Sequence, residues 1–133
     1  MVSRFTSIQQ LTSGSVIQLR PCKVVYGLSP LDSDKVNRSI KIECTGEEMA
    51  LFAAYDVLQP AGAYQLTKRH NENVFISVKL DPDTQAAFSA LSREDMIELV
   101  IKLSPWSYEG QRGLTLSVKN MRPVETMNYA FID

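Results

Sequence analysis

Two runs of alternating apolar residues constrain this chain more than anything else in it. Ile97, Leu99, Ile101 and Leu103 alternate with Glu98, Val100 and Lys102, and Leu114, Leu116 and Val118 alternate with Thr115, Ser117 and Lys119. A period of two over that length predicts a pair of strands, each with one buried face. The stretch between them, SPWSYEGQRG from Ser104 to Gly113, carries Pro105, Gly110 and Gly113 as breakers and reads as a loop. It holds the only tryptophan, Trp106, with Tyr108 two residues on and Arg112 near its end. A tryptophan placed in an exposed loop calls for something to pack on it.

The rest of the chain supplies the partners for these strands. Residues 1–14 are polar with scattered apolar positions and read as an N-terminal arm, residues 15–124 as the domain, and residues 125–133 as a short C-terminal tail. Ser15 to Tyr26 is a β segment with Pro21 at its centre. Proline cannot donate to a ladder, so the strand is expected to bulge, bend or run along an edge there. Gly27 to Asn37 is rich in turn formers and reads as a loop. In Arg38–Cys44, Ile40, Ile42 and Cys44 face one way, Lys41 and Glu43 the other. Thr45-Gly-Glu-Glu48 has the spacing of a capping box, with Glu48 reaching back, and predicts a helix to Leu58 stopped by Pro60 and Gly62. A strand is the competing reading of ALFAAYDVL. Apolar residues cover most of the helix circumference, which suits a plug at a barrel end or a subunit contact. Lys68-Arg69-His70 is a basic triplet between breakers. In the next strand, Val74, Ile76, Val78 and Leu80 face inward and Phe75, Ser77 and Lys79 outward. Asp81-Pro82 then opens a helix expected to run to about Leu91.

Strand, strand, helix, strand, helix, strand, strand is the order of a mainly β fold. It matches a five-stranded OB-fold-like Greek-key barrel with one or two short helices. The segment Lys102–Val124, with its aromatic pair, its glycines and its alternating final strand, resembles the last two strands of phage-type single-stranded DNA-binding proteins. That resemblance implies an OB barrel, sequence-tolerant binding of single-stranded DNA in viral or plasmid replication or recombination, and a place in an infected host cell. The tail departs from the family pattern. Such proteins commonly end in a long acidic stretch that recruits partners, whereas this one has only Glu125 and Asp133.

Such binding needs π surfaces for bases and cations for phosphates. Trp106, Tyr108 and the outward Phe75 are the candidate stackers. Lys41, Lys79, Arg112, Lys35, Arg38, Lys68 and Arg69 are the candidate phosphate contacts. Each has a plainer reading: Trp106 as a cap on the barrel end, Phe75 as a ring covered by the helix or a subunit, the triplet as a solvated turn. With 14 basic and 15 acidic residues, the net charge is −1, so no global field draws the chain to an anionic partner and a local patch must do so.

Other classes find less support. Cys22 and Cys44 have no C-x-x-C spacing and no clustered histidine, so buried reduced thiols are expected, with a cross-strand disulfide as the alternative and no metal. No cofactor is expected and no catalysis. The only histidine, His70, has no neighbouring nucleophile, and there is no Gly-rich phosphate loop. The N-terminus lacks an apolar signal region and no run approaches a membrane span, so a cytoplasmic protein without a membrane partner is expected, with a homodimer as the assembly. Two other functions fit the same residues. One is a small structural or assembly protein, such as a viral scaffold or adaptor, binding protein through exposed aromatics. The other is an RNA-binding OB domain, because stacking is blind to the sugar.

Overall fold

The structure, a computed structural model, describes residues 3–27 and 38–124. Lys35 and the C-terminal tail lie outside the described residues. The chain order is β1 (Ser3–Arg4), a 3-10 turn (Ile8–Gln10), β2 (Val16–Gln18), β3 (Cys22–Tyr26), β4 (Arg38–Glu43), α1 (Gly46–Val57), β5 (Thr67–His70), β6 (Asn73–Leu80), α2 (Pro82–Phe88), β7 (Met96–Tyr108) and β8 (Gln111–Pro123). The fold is mainly β, as expected, but the described residues form a mixed sheet of eight strands rather than five.

The strand count differs for identifiable reasons. Pro21 interrupts the first predicted strand, leaving β2 and β3, which both pair antiparallel with β7, at Val100–Lys102 and at Met96–Ile97. One strand thus bends around its proline, which cannot donate to the ladder. β1 adds a short parallel pairing to β2. β5 is the third addition: the basic triplet is not a turn but an antiparallel strand on β6, Thr67 opposite Ile76 through His70 opposite Asn73. Asn71, one of the few residue types that tolerate a positive φ, takes φ 55° in the two-residue turn between them.

The largest correction concerns Ser104–Gly113. These residues continue β7 and β8 as a long hairpin, paired out to Tyr108 opposite Gln111. The turn is only Glu109-Gly110, at φ 48° and 83°, the two positive values that a right-twisted two-residue hairpin turn demands. Pro105 does not break the strand. Past Lys102 no pairing with β2 runs along that side of β7, the edge situation in which a strand tolerates proline.

The remaining ladders are antiparallel between β3 and β4 and between β4 and β6, and parallel between β6 and β8, with Val78 beside Leu116 and Lys79 beside Ser117. The pairings therefore form a circuit, β7 to β3 to β4 to β6 to β8 and back to β7. Inside it lie most of the side chains that the alternation assigned inward, among them Ile40, Ile42, Ile76, Val78, Leu80, Ile97, Leu99, Ile101, Leu103 and Leu116, while Val74 stays half-buried outside this core. Phe5, Phe52 and Phe88 join this core from the N-terminal segment, α1 and α2. Each ring so buried contributes about 1.5–3 kcal/mol. Residues 1–14, read as an arm, supply both Phe5 and Leu11 to the core, with Phe5 packing on Phe52 at 4.9 Å between ring centroids.

Helix α1 settles the choice between helix and strand over 46–57. Thr45 caps it by accepting from the Glu48 backbone N–H, but Glu48 does not complete the box. Its buried carboxylate takes the Thr45 hydroxyl at 3.2 Å and the Arg20 N–H at 3.1 Å, tying the helix start to the β2–β3 bend. Arg20 also pairs with Glu47 at 3.1 Å. At the other end, buried Asp56 accepts from the Leu66 N–H at 2.7 Å and the Thr67 N–H at 2.8 Å, and from the Thr67 hydroxyl. The helix is thereby fastened to β5. Helix α2 has the predicted opening, with Asp81 accepting from the Thr84 N–H at 3.0 Å and proline in the first turn, but it ends at Phe88, short of Leu91.

Candidate nucleic-acid interface

Register decides which polar side chains share a face, since residues directly opposite in a ladder project to the same side. Lys41 stands opposite Ser77 on one flank and Tyr26 on the other. Ser39 stands opposite Lys79, Lys79 beside Ser117, and Ser117 opposite Lys102. Lys68 stands opposite Phe75. On β7, Lys102, Ser104 and Trp106 follow at intervals of two, so the indole belongs to the same outward face. One surface therefore runs across β4, β5, β6, β7 and β8.

Aromatic rings cluster along it. Trp106 is half-buried and packs on Tyr64, centroids 4.9 Å apart and planes at 41°. It lies outside the core cluster. Tyr64 sits over Gly113, the cross-strand partner of Trp106, where a Cβ would come within 3.0 Å of the Tyr64 Cβ. That glycine is not a breaker but a place where another segment crosses the strand closely. The Lys68 ammonium rests on the other ring, 4.3 Å from the Tyr64 centroid. Farther along, Tyr26 stands edge-on to Phe75 at 5.7 Å and to His70 at 6.1 Å, and Arg93 lies 5.7 Å from its centroid. Asn73 donates to the Tyr26 hydroxyl at 3.1 Å.

Phe75 corrects an expectation. It does face away from the main core, yet it is only 6% exposed because Tyr26 covers it. Little of its ring is therefore left open on this face. Of the other predicted residues, Trp106, Lys41, Lys68 and Lys79 share the face. Arg38 (opposite Leu80), Arg69 (opposite Val74) and Arg112 (opposite Ser107) alternate to the other side of their ladders. Arg112 instead borders a cleft of about 330 Å³ formed with Gln59–Ala63. Tyr108 occupies the last pair of the hairpin. Tyr64, Tyr26 and Arg93 were missed, while His70 was read only as part of the basic triplet. The one signal for Tyr64 was Gly113 inside an alternating run; the others meet only through pairing.

Lys41 lies within electrostatic reach of Lys68 on this face. It is half-buried, and its Nζ donates to the Ser39 hydroxyl. Burial, and then the Lys68 charge, hold its pKa below the ordinary lysine value. Among the described residues neither Lys41 nor Lys68 forms an ion pair, while the nearby Glu43 is taken by Lys23 at 3.4 Å. The two cysteines, by contrast, are buried free thiols across the β3–β4 ladder, Sγ to Sγ 3.7 Å, on the core side. Among the described residues no helix is long and apolar enough to cross a membrane.

Comparison with known proteins adds no assignment to this geometry: no family model and no curated protein matches the chain.

Proposed function

We propose that this protein binds single-stranded nucleic acid, DNA before RNA, with little sequence preference, on the face that runs from Trp106 to Tyr26. The carrying observation is the unbroken series Trp106–Tyr64–Lys68, ring on ring at 4.9 Å and ammonium on ring at 4.3 Å, beside the half-buried Lys41. Rings offer flat faces to any base and the lysines offer charge to the phosphates, which is the chemistry of sequence-tolerant binding. An OB-type barrel is the architecture we infer. Its support is the circuit of five pairings with β6 and β8 parallel and α2 placed between β6 and β7. The proposed face then falls on the second and third barrel strands and the last hairpin.

Titration of Trp106 fluorescence with oligo-dT tests the reading. Saturable quenching that weakens with salt is expected; an unchanged spectrum at micromolar oligonucleotide overturns it. A second reading, a protein-binding adaptor, is favoured by Val57 and Leu58, which end α1 at 82% and 70% exposure. It predicts binding that survives Trp106→Ala and is lost in Leu58→Asp.

A further inference from the structure

We infer that Lys41 and Lys68 together seat a single phosphodiester group, between one base stacked at Trp106 and Tyr64 and the next lying toward Tyr26. The inference rests on the proposed function and names the smallest unit that the site takes: a dinucleotide step of a single strand.

The register supplies the geometry. Lys41 on β4 and Lys68 on β5 flank β6 from its two sides, opposite Ser77 and Phe75, which are neighbours on one face of that strand. Two cations so placed repel each other, and the Lys41 pKa is lowered by burial and by Lys68. Neither lysine has a carboxylate partner among the described residues. Uncompensated like charges in a partly desolvated place are relieved by an anion that both can reach, and a phosphate oxygen pair accepts two charge-assisted hydrogen bonds at once. Ser77 stands opposite Lys41 on the same face and adds a hydroxyl-bearing side chain there.

Lys68 also rests on the Tyr64 ring. A base arriving on that ring needs the space the ammonium occupies. Lys68 then exchanges its cation–π contact for a phosphate, so base stacking and phosphate capture are coupled. Phosphate alone leaves Lys68 competing with its ring, and a nucleoside alone displaces a cation that has nowhere better to go.

The salt dependence of oligo-dT affinity discriminates, because one neutralised phosphate accounts for a slope of about one in log K against log salt. Full-length wild type, Lys41→Met, Lys68→Met and the double variant are compared. A shared phosphate predicts that the double variant loses about one unit of slope in all. A loss of about two units, or of none, with wild-type oligo-dT binding intact overturns the shared seat and leaves the proposed function standing. If wild type does not bind oligo-dT, the proposed function itself fails. TpT, thymidine and inorganic phosphate form the second arm. TpT is expected to bind wild type at least about tenfold tighter than thymidine or phosphate, an advantage lost in the double variant. Equal affinity of wild type for phosphate and for TpT overturns the coupling.

Discussion

Removing the Asp56 carboxylate should both destabilise the protein and weaken the proposed face. Asp56 is 6% exposed and accepts three hydrogen bonds, two from backbone N–H groups at 2.7 and 2.8 Å. In Asp56→Ala the Leu66 N–H, on a residue only 2% exposed, loses its acceptor with no route to water. Such an orphan costs about 1–3 kcal/mol. Thr67 is half-buried, and water can replace part of its two bonds, so about 1 kcal/mol is assigned there. The expected total is about 2–4 kcal/mol, a large part of the roughly 5–15 kcal/mol that holds a domain of this kind. Asp56→Asn keeps one carbonyl acceptor and should lose about half as much. Urea unfolding followed by far-UV circular dichroism measures both. The same bonds place β5, and with it Lys68, so the folded Asp56→Ala protein should also bind oligo-dT less tightly in buffer without denaturant. If both variants unfold within about 0.5 kcal/mol of wild type, Asp56 does not anchor β5 and the reasoning fails.

Trp106→Ala and Tyr64→Ala should each weaken oligo-dT binding by about 1–3 kcal/mol, roughly 5- to 150-fold, with little change in melting; unfolding of Trp106→Ala would place the indole in the core instead. Lys41 has a folded pKa below its unfolded value, so its charge is disfavoured by folding at neutral pH, and that penalty is relieved as pH rises through the lowered value toward 10.5. Lys41→Met should therefore be no less stable than wild type at pH 7, with a flatter alkaline stability profile, while binding worse; marked destabilisation at pH 7 would contradict this. Gly113→Ala brings a Cβ to 3.0 Å from Tyr64 and should displace that ring, weakening binding with a stability loss of about 1 kcal/mol. Cys22 and Cys44 are buried, and the Cys44 thiol is pushed well above the ordinary thiol value by the Cys22 hydrogen bond and by burial. Both should resist a thiol reagent until the protein unfolds, and rapid labelling of the native protein would refute the placement.

Alternation of apolar residues was enough to determine, from the chain alone, that the fold is mainly β and most of the side chains its strands bury, although Phe75 and Thr115, assigned outward, are buried as well. Ile40, Ile42, Ile76, Val78, Ile97 and Ile101 all lie where period two put them. Local chemistry likewise located the bend at Pro21 and the caps at Thr45 and Asp81, because these depend on a few adjacent residues. Tertiary structure decided what depends on neighbours distant in sequence. Pro105 and Gly113 signal a loop in isolation, yet an open edge accepts the first and Tyr64 crossing overhead requires the second. Phe75 looked available because its own strand is polar on that side; Tyr26, 49 residues earlier, covers it. The candidate face was only half legible for the same reason. Which cations gather and which turn away is set by cross-strand register, and register belongs to no single stretch of chain.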